Sequence, residues 1–448
     1  MLPKGTRDFL PEDMRRRDFI LGIIESVFQR YAFEKIETPS IELNKTLSGK
    51  YGEEGDRLMF KVLPRGRKLE EMAGKSLSEM QQAVEEAMRY DLTVPFARFV
   101  VDHRNSLQFP FKRYQIQNVW RADRPQKGRY REFTQCDADV VGVAGLVQDA
   151  ELMHLYDEVF QLLGLSVNLH LNHRALLQSL AEKVGAADRL IPFTVALDKL
   201  DKIGWDGVRK EWEAAGIGFH QDVVTLFETE LALNDASIKS LEEHLPEGTA
   251  KERALNDLKQ LQLLMNAAPL KHASLRLDLS LARGLDYYTG CIFEVKAKDA
   301  AVGSIGGGGR YDDLTAVFGL KDTPGVGISF GLDRIQLAME ELGLLEEKLA
   351  ASSGILIANM GGEDELEAFR LLQALREKGI TADMYPTAAR FKKQIDFAVK
   401  TGKDYLLITG EDEREKGVVN VKILASGEQR EVLKSNVVPF FQALLSKA

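Results

Sequence analysis

The feature that most constrains the fold of this chain is the segment 112–141, KRYQIQNVWRADRPQKGRYREFTQCDADVV. At both ends of the segment, polar and apolar side chains alternate with a period of two, as they do in a β-strand with one covered face. The middle part contains Pro125 and Gly128, two residue types that favour turns. The segment is therefore predicted to form an antiparallel hairpin with one apolar face and one polar, charged face.

The polar face of this hairpin combines carboxamides with charges of both signs. On the first strand it is predicted to hold Arg113, Gln115, Gln117 and Arg121. On the second strand it is predicted to hold Gln135, Asp137 and Asp139. Residues 112–131 contain seven Lys or Arg side chains and one acid, Asp123, in a chain with 59 basic and 68 acidic residues. One interpretation is a solvated hairpin with an exposed basic loop. The other, which the polar second strand favours, is a sheet floor for a multiply charged ligand.

Length and composition restrict the class of protein. A chain of 448 residues is too long for one ordinary core and predicts two or three domains. No apolar run approaches the ~20 residues of a membrane span, and the N-terminal residues lack the apolar core of a signal peptide. Cys136 and Cys291 have no CxxC spacing, so we expect a cytoplasmic protein without structural zinc. The net charge of −9 argues against indiscriminate nucleic-acid binding but permits a local basic surface.

Changes of pattern predict the domain boundaries. Residues 1–345 contain the hairpin and are interrupted at 174–271 by a stretch rich in Leu, Ala, Glu and Lys with helical spacing, which predicts a helical insertion. A short polar linker, 346–353, follows. Residues 354–448 then alternate between strand and helix patterns, which indicates an α/β domain with a largely parallel sheet.

Two shorter stretches of the first domain also carry a pattern. Residues 11–31 have an apolar stripe at helical spacing and predict a helix, and the strand after it is interrupted by Pro39, which cannot donate to a ladder. Residues 64–88 are polar and helix-prone from Ser76 onward, so they are predicted to be an insertion to which we assign no function.

Four motifs make the chain resemble the histidyl-tRNA synthetases, a family of class II aminoacyl-tRNA synthetases. Arg121 with the basic loop and GRYREFTQCDAD is similar to motif 2, and RGLDYYTG at 283–290 is similar to the histidine-specific signature. GGGGRYDDL at 306–314 and GISFGLDRI at 327–335 resemble the glycine-rich strand and motif 3. The motifs follow the order of the family, the chain opens with the similar sequence KGTRDFLPE, and the resemblance covers most of the 448 residues.

The resemblance implies an α+β catalytic domain, with an antiparallel sheet flanked by helices and a helical insertion, and a C-terminal α/β anticodon-binding domain. It implies a homodimer, with helix 11–31 and the Pro39 strand at the interface as motif 1. The implied partners are L-histidine, ATP with Mg²⁺ at its phosphates, and tRNA(His), with no membrane. The implied reaction is formation of histidyl-adenylate and pyrophosphate, followed by transfer of histidine to the tRNA.

The resemblance also implies roles for single residues. Arg121 and Arg283 are implied to be catalytic. The ATP phosphates are implied to bind Arg121, Arg283 and Arg334, since arginine is always charged and binds phosphate in a bidentate manner. Histidine is implied to bind Asp91, Thr93, Gln135, Asp139, Tyr287 and Tyr288. The tRNA acceptor end is implied to meet Arg124, Lys127, Arg129 and Arg131.

Some of these assignments have open alternatives. Asp91 and Thr93 are expected to share a strand face, although Asp91 is also suited to cap a turn. Asp139 contacts the imidazole either directly or through water, because some family members have the longer glutamate there. Arg283 could instead form a structural pair with a neighbouring aspartate, Asp278 or Asp286. No metal ligands are assigned, since the strand histidines His170 and His173 are three residues apart and do not share a face.

Two other functions compete with the leading one. A catalytically silent, histidine-binding regulatory paralogue would lack the C-terminal domain and the catalytic arginines, and this chain has both. A class IIa synthetase for proline, threonine or serine is disfavoured by RGLDYYTG at 283–290.

Overall fold

The structure is a computed structural model that describes residues 1–76, 79–80, 83–229, 231–282, 288–345 and 354–445. The chain divides into two compact units, Met1–Leu345 and Glu346–Ala448. The predicted linker 346–353 lies outside the described residues. None of the described helices is long and apolar enough to cross a membrane.

The first unit is built on a mixed sheet. In chain order, its described strands are β1 (Glu34–Lys35), β2 (Ile41–Leu43), β3 (Lys61–Val62), β4 (Glu86–Met88), β5 (Phe111–Trp120), β6 (Glu132–Val141), β7 (Val167–His173), β8 (Ser274–Leu277), β9 (Cys291–Ala297), β10 (Gly306–Tyr311) and β11 (Gly325–Gly331). Within the described part of the chain, eight of them form one sheet in the order β1-β5-β6-β11-β10-β9-β7-β8. In this sheet order, all neighbouring pairs between β5 and β7 are antiparallel. The two edge pairs, β1 with β5 and β7 with β8, are parallel.

Helices flank this sheet and fill the predicted insertion. In chain order, those described are α1 (Pro11–Arg30), α2 (Asn44–Leu47), α3 (Gly52–Leu58), α4 (Arg67–Glu70), α5 (Thr93–His103), α6 (Val147–Leu163), α7 (Arg174–Lys183), α8 (Leu190–Leu197), α9 (Leu200–Ala214), α10 (Gln221–Glu228), α11 (Asp235–His244), α12 (Thr249–Ala267) and α13 (Leu332–Glu341). In sequence, the helices α7 to α12 come between β7 and β8, which are paired neighbours in the sheet. They occupy the stretch predicted to be a helical insertion.

The apolar face of the sheet is covered by α1 and α6. Phe330 on β11 lies with its ring centroid 5.9 Å from that of Phe28 on α1 and 4.8 Å from that of Tyr156 on α6. The Phe28 ring also contacts Tyr114 of the hairpin, with centroids 5.3 Å apart. Helix α1 packs against α6 and α13, so its predicted apolar stripe is buried inside the unit.

Residues 64–88 are helical only in part: Glu79 and Met80 are helical, as predicted from Ser76 onward, and the backbone N–H of Met80 donates to the carbonyl oxygen of Ser76 at 2.9 Å. The stretch also contains the short helix α4 and the strand β4, which pairs antiparallel with both β2 and β3 in a small sheet of its own. Pairing on both sides decides the conformation of β4, whose local sequence EAM favours helix in isolation.

The second unit is an α/β domain. Its described strands are β12 (Ile355–Ile357), β13 (Ala382–Met384), β14 (Tyr405–Ile408), β15 (Val418–Ile423) and β16 (Gln429–Leu433). Its described helices are α14 (Gly362–Glu377), α15 (Phe391–Lys400), α16 (Glu411–Lys416) and α17 (Val437–Leu445). The sheet order is β13-β12-β14-β15-β16, with parallel pairs around β12 and antiparallel pairs from β14 to β16. The parallel core was predicted, whereas the exposed edge strand β16 was not.

Candidate active site

The predicted hairpin is present as β5 and β6, and its polar face forms the floor of a cavity. Across the hairpin, the register pairs Arg113 with Asp139, Gln115 with Asp137, and Gln117 with Gln135. Cys136, Ala138 and Val140 are buried on the opposite face, as the alternation predicted. Because β11 pairs with β6 on its other edge, the floor continues onto β11 and β10.

A cavity of about 360 Å³ lies over this floor. The predicted site residues that line it are Asp91, Thr93, Arg121, Arg129, Gln135, Asp139, Tyr288 and Arg334. Of the described loop residues, Arg124, Lys127 and Arg131 do not line it. Arg283 and Tyr287 lie outside the described residues. Lining residues that the sequence analysis did not assign include Asp137, Ser304, Tyr311, Ser329 and Asp333.

Glycines allow the strands of the floor to approach the polar groups closely. A Cβ atom on Gly327 would overlap the Asp139 carboxylate, and one on Gly308 would overlap the carbonyl oxygen of Gly327. The ring of Tyr288 lies over Gly309, where a Cβ would come within 2.8 Å of it. The glycines of these motifs therefore leave space above the floor for the polar side chains and a ligand. They do not form a loop of backbone N–H groups around a phosphate.

Asp139 is part of a buried, charge-paired cluster. Its Oδ2 lies 2.7 Å from Nη2 of Arg113, and the exposed fractions of the two side chains are 3% and 0%. Its Oδ1 accepts a hydrogen bond of 2.5 Å from the hydroxyl of Tyr311. Burial raises the pKa of Asp139, whereas Arg113 and Tyr311 oppose that increase. Both carboxylate oxygens thus already have a protein partner.

Asp137, two residues earlier on β6, has fewer partners. Burial raises its pKa to about 7, and the charge of Arg113 and a hydrogen bond with Ser329 oppose the shift. The Oδ1 atom of Asp137 makes no hydrogen bond with the described residues. Ser329 also accepts a hydrogen bond of 3.1 Å from Nε2 of Gln135, so these three polar residues are linked.

Asp91 and Thr93 lie at the start of a helix, so the prediction that they share one face of a strand is wrong. Helix α5 begins at Thr93, and the Asp91 Oδ1 accepts a hydrogen bond from the backbone N–H of Val94 at 3.2 Å, as a capping carboxylate does. The same oxygen accepts the hydroxyl of Tyr51 at 2.8 Å. Burial raises the pKa of Asp91, against the effect of these hydrogen bonds. Both residues nevertheless line the cavity, as predicted.

Two arginines lie on the other side of the cavity. Arg121 donates from Nε to the carbonyl oxygen of Tyr90 at 3.0 Å, and its guanidinium lies 4.3 Å from the centroid of the Tyr90 ring. Arg334, near the start of α13, donates to the carbonyl oxygens of Gly128 at 3.1 Å and Ser304 at 2.8 Å. These contacts fix both guanidinium groups beside the cavity, which suits them to an anion.

The loop between β5 and β6 is held by the N-terminal residues. The backbone N–H of Arg131 donates to the carbonyl oxygen of Gly5 at 2.8 Å. The Arg7 guanidinium lies 3.3 Å from the centroid of the Tyr130 ring and forms an ion pair with Asp333. The loop side chains Arg124, Lys127 and Arg129 are exposed. The loop therefore has a fixed base and a basic outer surface.

A mixed sheet with an antiparallel centre, a polar hairpin floor and arginines at its rim defines the catalytic domain of a class II aminoacyl-tRNA synthetase. The model of the histidyl-tRNA synthetase family matches residues 5–335, and that of an anticodon-binding domain matches residues 354–444. The chain belongs to the histidyl-tRNA synthetase family.

Proteins with similar sequences and structures are named as members of the same family. The chain is 48% identical to a histidine–tRNA ligase of Christiangramia forsetii and 46% identical to one of Porphyromonas gingivalis, with 96% of each chain covered in both comparisons. A solved histidyl-tRNA synthetase from Nostoc sp. PCC 7120 is 28% identical, with a TM-score of 0.82 and 99% of both chains covered.

Proposed function

We propose that the cavity over β6 and β11 is where this histidine–tRNA ligase activates histidine with ATP and then transfers it to tRNA(His). The observation that supports this site most strongly is the arrangement of its charges. Buried carboxylates and a carboxamide line the floor, and Arg121 and Arg334 line the same cavity. Histidine carries an ammonium group and a ring N–H, whereas ATP carries phosphates, so each ligand meets a complementary surface.

In the first step, the histidine carboxylate attacks the α-phosphorus of ATP, and pyrophosphate leaves. No protein nucleophile is needed, because positioning and charge neutralisation lower the barrier. We assign the neutralisation to Arg121 and Arg334, whose guanidinium groups are fixed by backbone carbonyls. Arg283, in the histidine-specific motif, is assigned to the α-phosphate on the resemblance alone.

Histidine is assigned to the floor of the cavity. Asp91 and Thr93 at the start of α5, together with Gln135, are assigned to its ammonium and carboxylate end. Asp139 and Tyr288, with Tyr287 adjacent in sequence, are assigned to the imidazole. A buried acidic acceptor rewards a ring N–H, and an analogue without it leaves the carboxylate unpaired at a cost of several kcal/mol.

Mg²⁺ is proposed to enter with ATP. Among the described residues, no group of three or more His, Cys, Asp or Glu side chains is arranged to hold a metal ion. Two of the acids that line the cavity are already paired, Asp333 with Arg17 at 2.5 Å and Asp139 with Arg113 at 2.7 Å. Mg²⁺ prefers oxygen ligands and commonly uses substrate phosphates. The phosphate oxygens and water would therefore supply most of its ligands.

The tRNA is proposed to use two surfaces. The exposed basic side chains Arg124, Lys127 and Arg129 of the loop, with Arg131 at its base, are assigned to the acceptor end. Phosphate contacts of this kind give affinity that falls as the salt concentration rises. The second unit, which matches the anticodon-binding family, is assigned to the anticodon. The protein is expected to act in the cytoplasm.

A homodimer is also proposed, but its interface needs a different surface from the apolar stripe of α1. That stripe is buried within the unit against α6 and the sheet. The apolar side chains that remain exposed at the start of α1 and on the strand after Pro39 include Phe9, Leu10, Met14, Ile41 and Leu43. These side chains are the surface that a second copy of the chain would cover.

ATP–pyrophosphate exchange screened against the twenty amino acids tests the proposed function. Exchange is expected with histidine, and charging of tRNA(His) is expected to follow. A folded protein that binds histidine without supporting exchange would instead be the silent regulatory paralogue. Exchange with proline, threonine or serine in place of histidine would identify another class IIa synthetase.

A further inference from the structure

Asn172 is a buried amide on β7, a strand that the resemblance did not connect with the reaction. The residue is 0% exposed. Its Nδ2 atom donates to the backbone carbonyl oxygens of Leu279 at 3.1 Å and of Leu281 at 2.9 Å. Its Oδ1 atom accepts the backbone N–H of His173 at 2.8 Å. A primary amide has two N–H donors and one carbonyl acceptor, so this single orientation gives each of its polar atoms a complementary partner.

The two carbonyl groups belong to the connection that leads into the histidine-specific motif. After β8, residues 278–282 lead to the motif at 283–290. Other contacts with β7 hold the same connection. The backbone N–H of Asp278 donates to the carbonyl oxygen of Leu171 at 2.9 Å, and the Asp278 carboxylate lies 2.9 Å from Nδ1 of His170. The end of β7 therefore fixes the path of the chain just before the motif begins.

The other end of the motif is tied to the same short stretch of chain. The backbone N–H of Arg174, two residues after Asn172, donates to the carbonyl oxygen of Gly290 at 2.8 Å. Tyr288, two residues before Gly290, lines the cavity. Both ends of the motif are thus anchored where β7 meets α7, and the side chain of Asn172 provides two of the hydrogen bonds at the first anchor.

Asn172 lies on the face of the sheet that forms the cavity floor. Residues directly paired on neighbouring strands project from the same face. Starting from Asp137 on β6, this register leads in turn to Ser329, Gly307, Glu294 and His170. Asn172 is two residues further along β7 and so shares that face. The connection that Asn172 holds therefore runs on the cavity side of the sheet.

The position of this connection bears on the rate of the reaction. Arg283, which is assigned to the α-phosphate, follows Leu281 by two residues. A catalytic group misplaced by about 1 Å can cost about 10² in rate. Groups at an active site are therefore held in place by buried hydrogen bonds from residues that do not touch the substrate. A carboxylate has no donor and a hydroxyl has one, so neither could replace both hydrogen bonds of the Asn172 amide.

We propose that Asn172 is a positioning residue for the histidine-specific motif. Its amide sets the path of residues 279–281 and thereby the approach of the Arg283 guanidinium to the α-phosphate. The inference rests on the proposed function, in which Arg283 neutralises charge on that phosphate, and it adds a residue that acts through Arg283. The contact of Arg283 strengthens in the transition state, so loss of the Asn172 donors should lower the rate constant of adenylate formation more than it weakens substrate binding.

Single-turnover adenylate formation in the full chain tests this role, with Asn172→Asp, Arg283→Ala and the double variant. Asn172→Asp removes both donors and keeps an acceptor for the N–H of His173. It is expected to slow adenylate formation about 10²-fold, with little change in the histidine and ATP concentrations that give half-maximal rate. Transfer from preformed adenylate to tRNA should slow less. The double variant should be no slower than Arg283→Ala alone, because Asn172 has no further effect once Arg283 is absent.

Asn168→Asp is the matched control. Asn168 lies on the same face of β7, four residues before Asn172, and pairs in register with Ser274 and Lys296, away from the motif. Its variant should form adenylate at the wild-type rate. Asn172→Ser retains one donor and adds no charge. It replaces Asn172→Asp in the double-variant comparison if Asn172→Asp is not folded at the assay temperature.

Three results would overturn the positioning role. The first is a double variant in which the two slowing factors multiply. The second is a wild-type rate of adenylate formation in both Asn172 variants. The third is equal slowing of adenylate formation and of transfer, which indicates a general loss of folded protein. A wild type without histidine-dependent pyrophosphate exchange would instead overturn the proposed function. Normal exchange in Arg283→Ala would overturn the role of Arg283 and this inference with it.

Discussion

Removing Arg113 tests the buried ion pair on which the cavity floor depends. The Arg113 side chain is 0% exposed, its partner Asp139 is 3% exposed, and their charged atoms are 2.7 Å apart. The guanidinium also lies 4.3 Å from the centroid of the Phe96 ring. Arg113→Met keeps much of the side-chain volume but leaves Asp139 with only the hydroxyl of Tyr311.

The expected cost follows from this burial. Breaking a buried pair by removing one partner costs about 3–5 kcal/mol, because the remaining charge is uncompensated. A typical unfolding free energy is about 5–15 kcal/mol, so the loss should be readily measured. Arg113 lowers the pKa of Asp139, so the pKa should rise further in the variant. When the pKa of a carboxyl group is higher in the folded than in the unfolded protein, the folded protein loses stability as the pH rises from the unfolded-state pKa towards the folded-state pKa. The cost should therefore be larger at pH 8 than at pH 5.

Urea denaturation followed by tryptophan fluorescence suits this measurement. The tryptophans of the chain, Trp120, Trp205 and Trp212, all lie in the first unit, so the signal reports on that unit. The double variant Arg113→Met, Asp139→Asn is the control, since it removes both charges and should recover most of the lost stability. A loss below about 1 kcal/mol, as for a solvated surface pair, would refute the buried pair. Failure of the double variant to recover stability would refute the coupling.

The remaining predictions concern activation, transfer and assembly. Arg283→Ala should slow adenylate formation by about 10²–10³, the effect of losing one preorganised donor, and slow transfer to tRNA less. Single-turnover rates for the two steps check this, and equal slowing with a lower melting temperature would indicate a structural arginine. A chain truncated after residue 353 should keep exchange and lose most tRNA charging; full charging would refute the tRNA role of the second unit. Sedimentation at micromolar concentration should show a dimer, and a 50.1 kDa species alone would contradict it.

The hairpin could be predicted because the sequence pattern that specifies it is contained in one short segment of the chain. Both strands lie within thirty residues, one face is covered by helices, and the period of two therefore appears directly in the sequence. The conformation around Asp91 could not be read in the same way. Asp91 and Thr93 are expected from the sequence to share a strand face, yet Thr93 begins α5 and Pro95 lies in the first turn of that helix, where proline is tolerated. Asp91 with a proline soon after was the available signal for a helix start.

The alternation of polar and apolar residues could not predict that the two aspartates of β6 have different partners. Period two places Asp137 and Asp139 on one face and treats them as equivalent. Their difference depends on long-range partners: Arg113 comes from the opposite strand, and Tyr311 comes from β10, 172 residues away in sequence. Both partners contact Asp139, whereas the hydrogen bond of Asp137 is with Ser329 on β11. Family resemblance singled out Asp139, but only the tertiary contacts show that Oδ1 of Asp137 has no hydrogen-bond partner among the described residues.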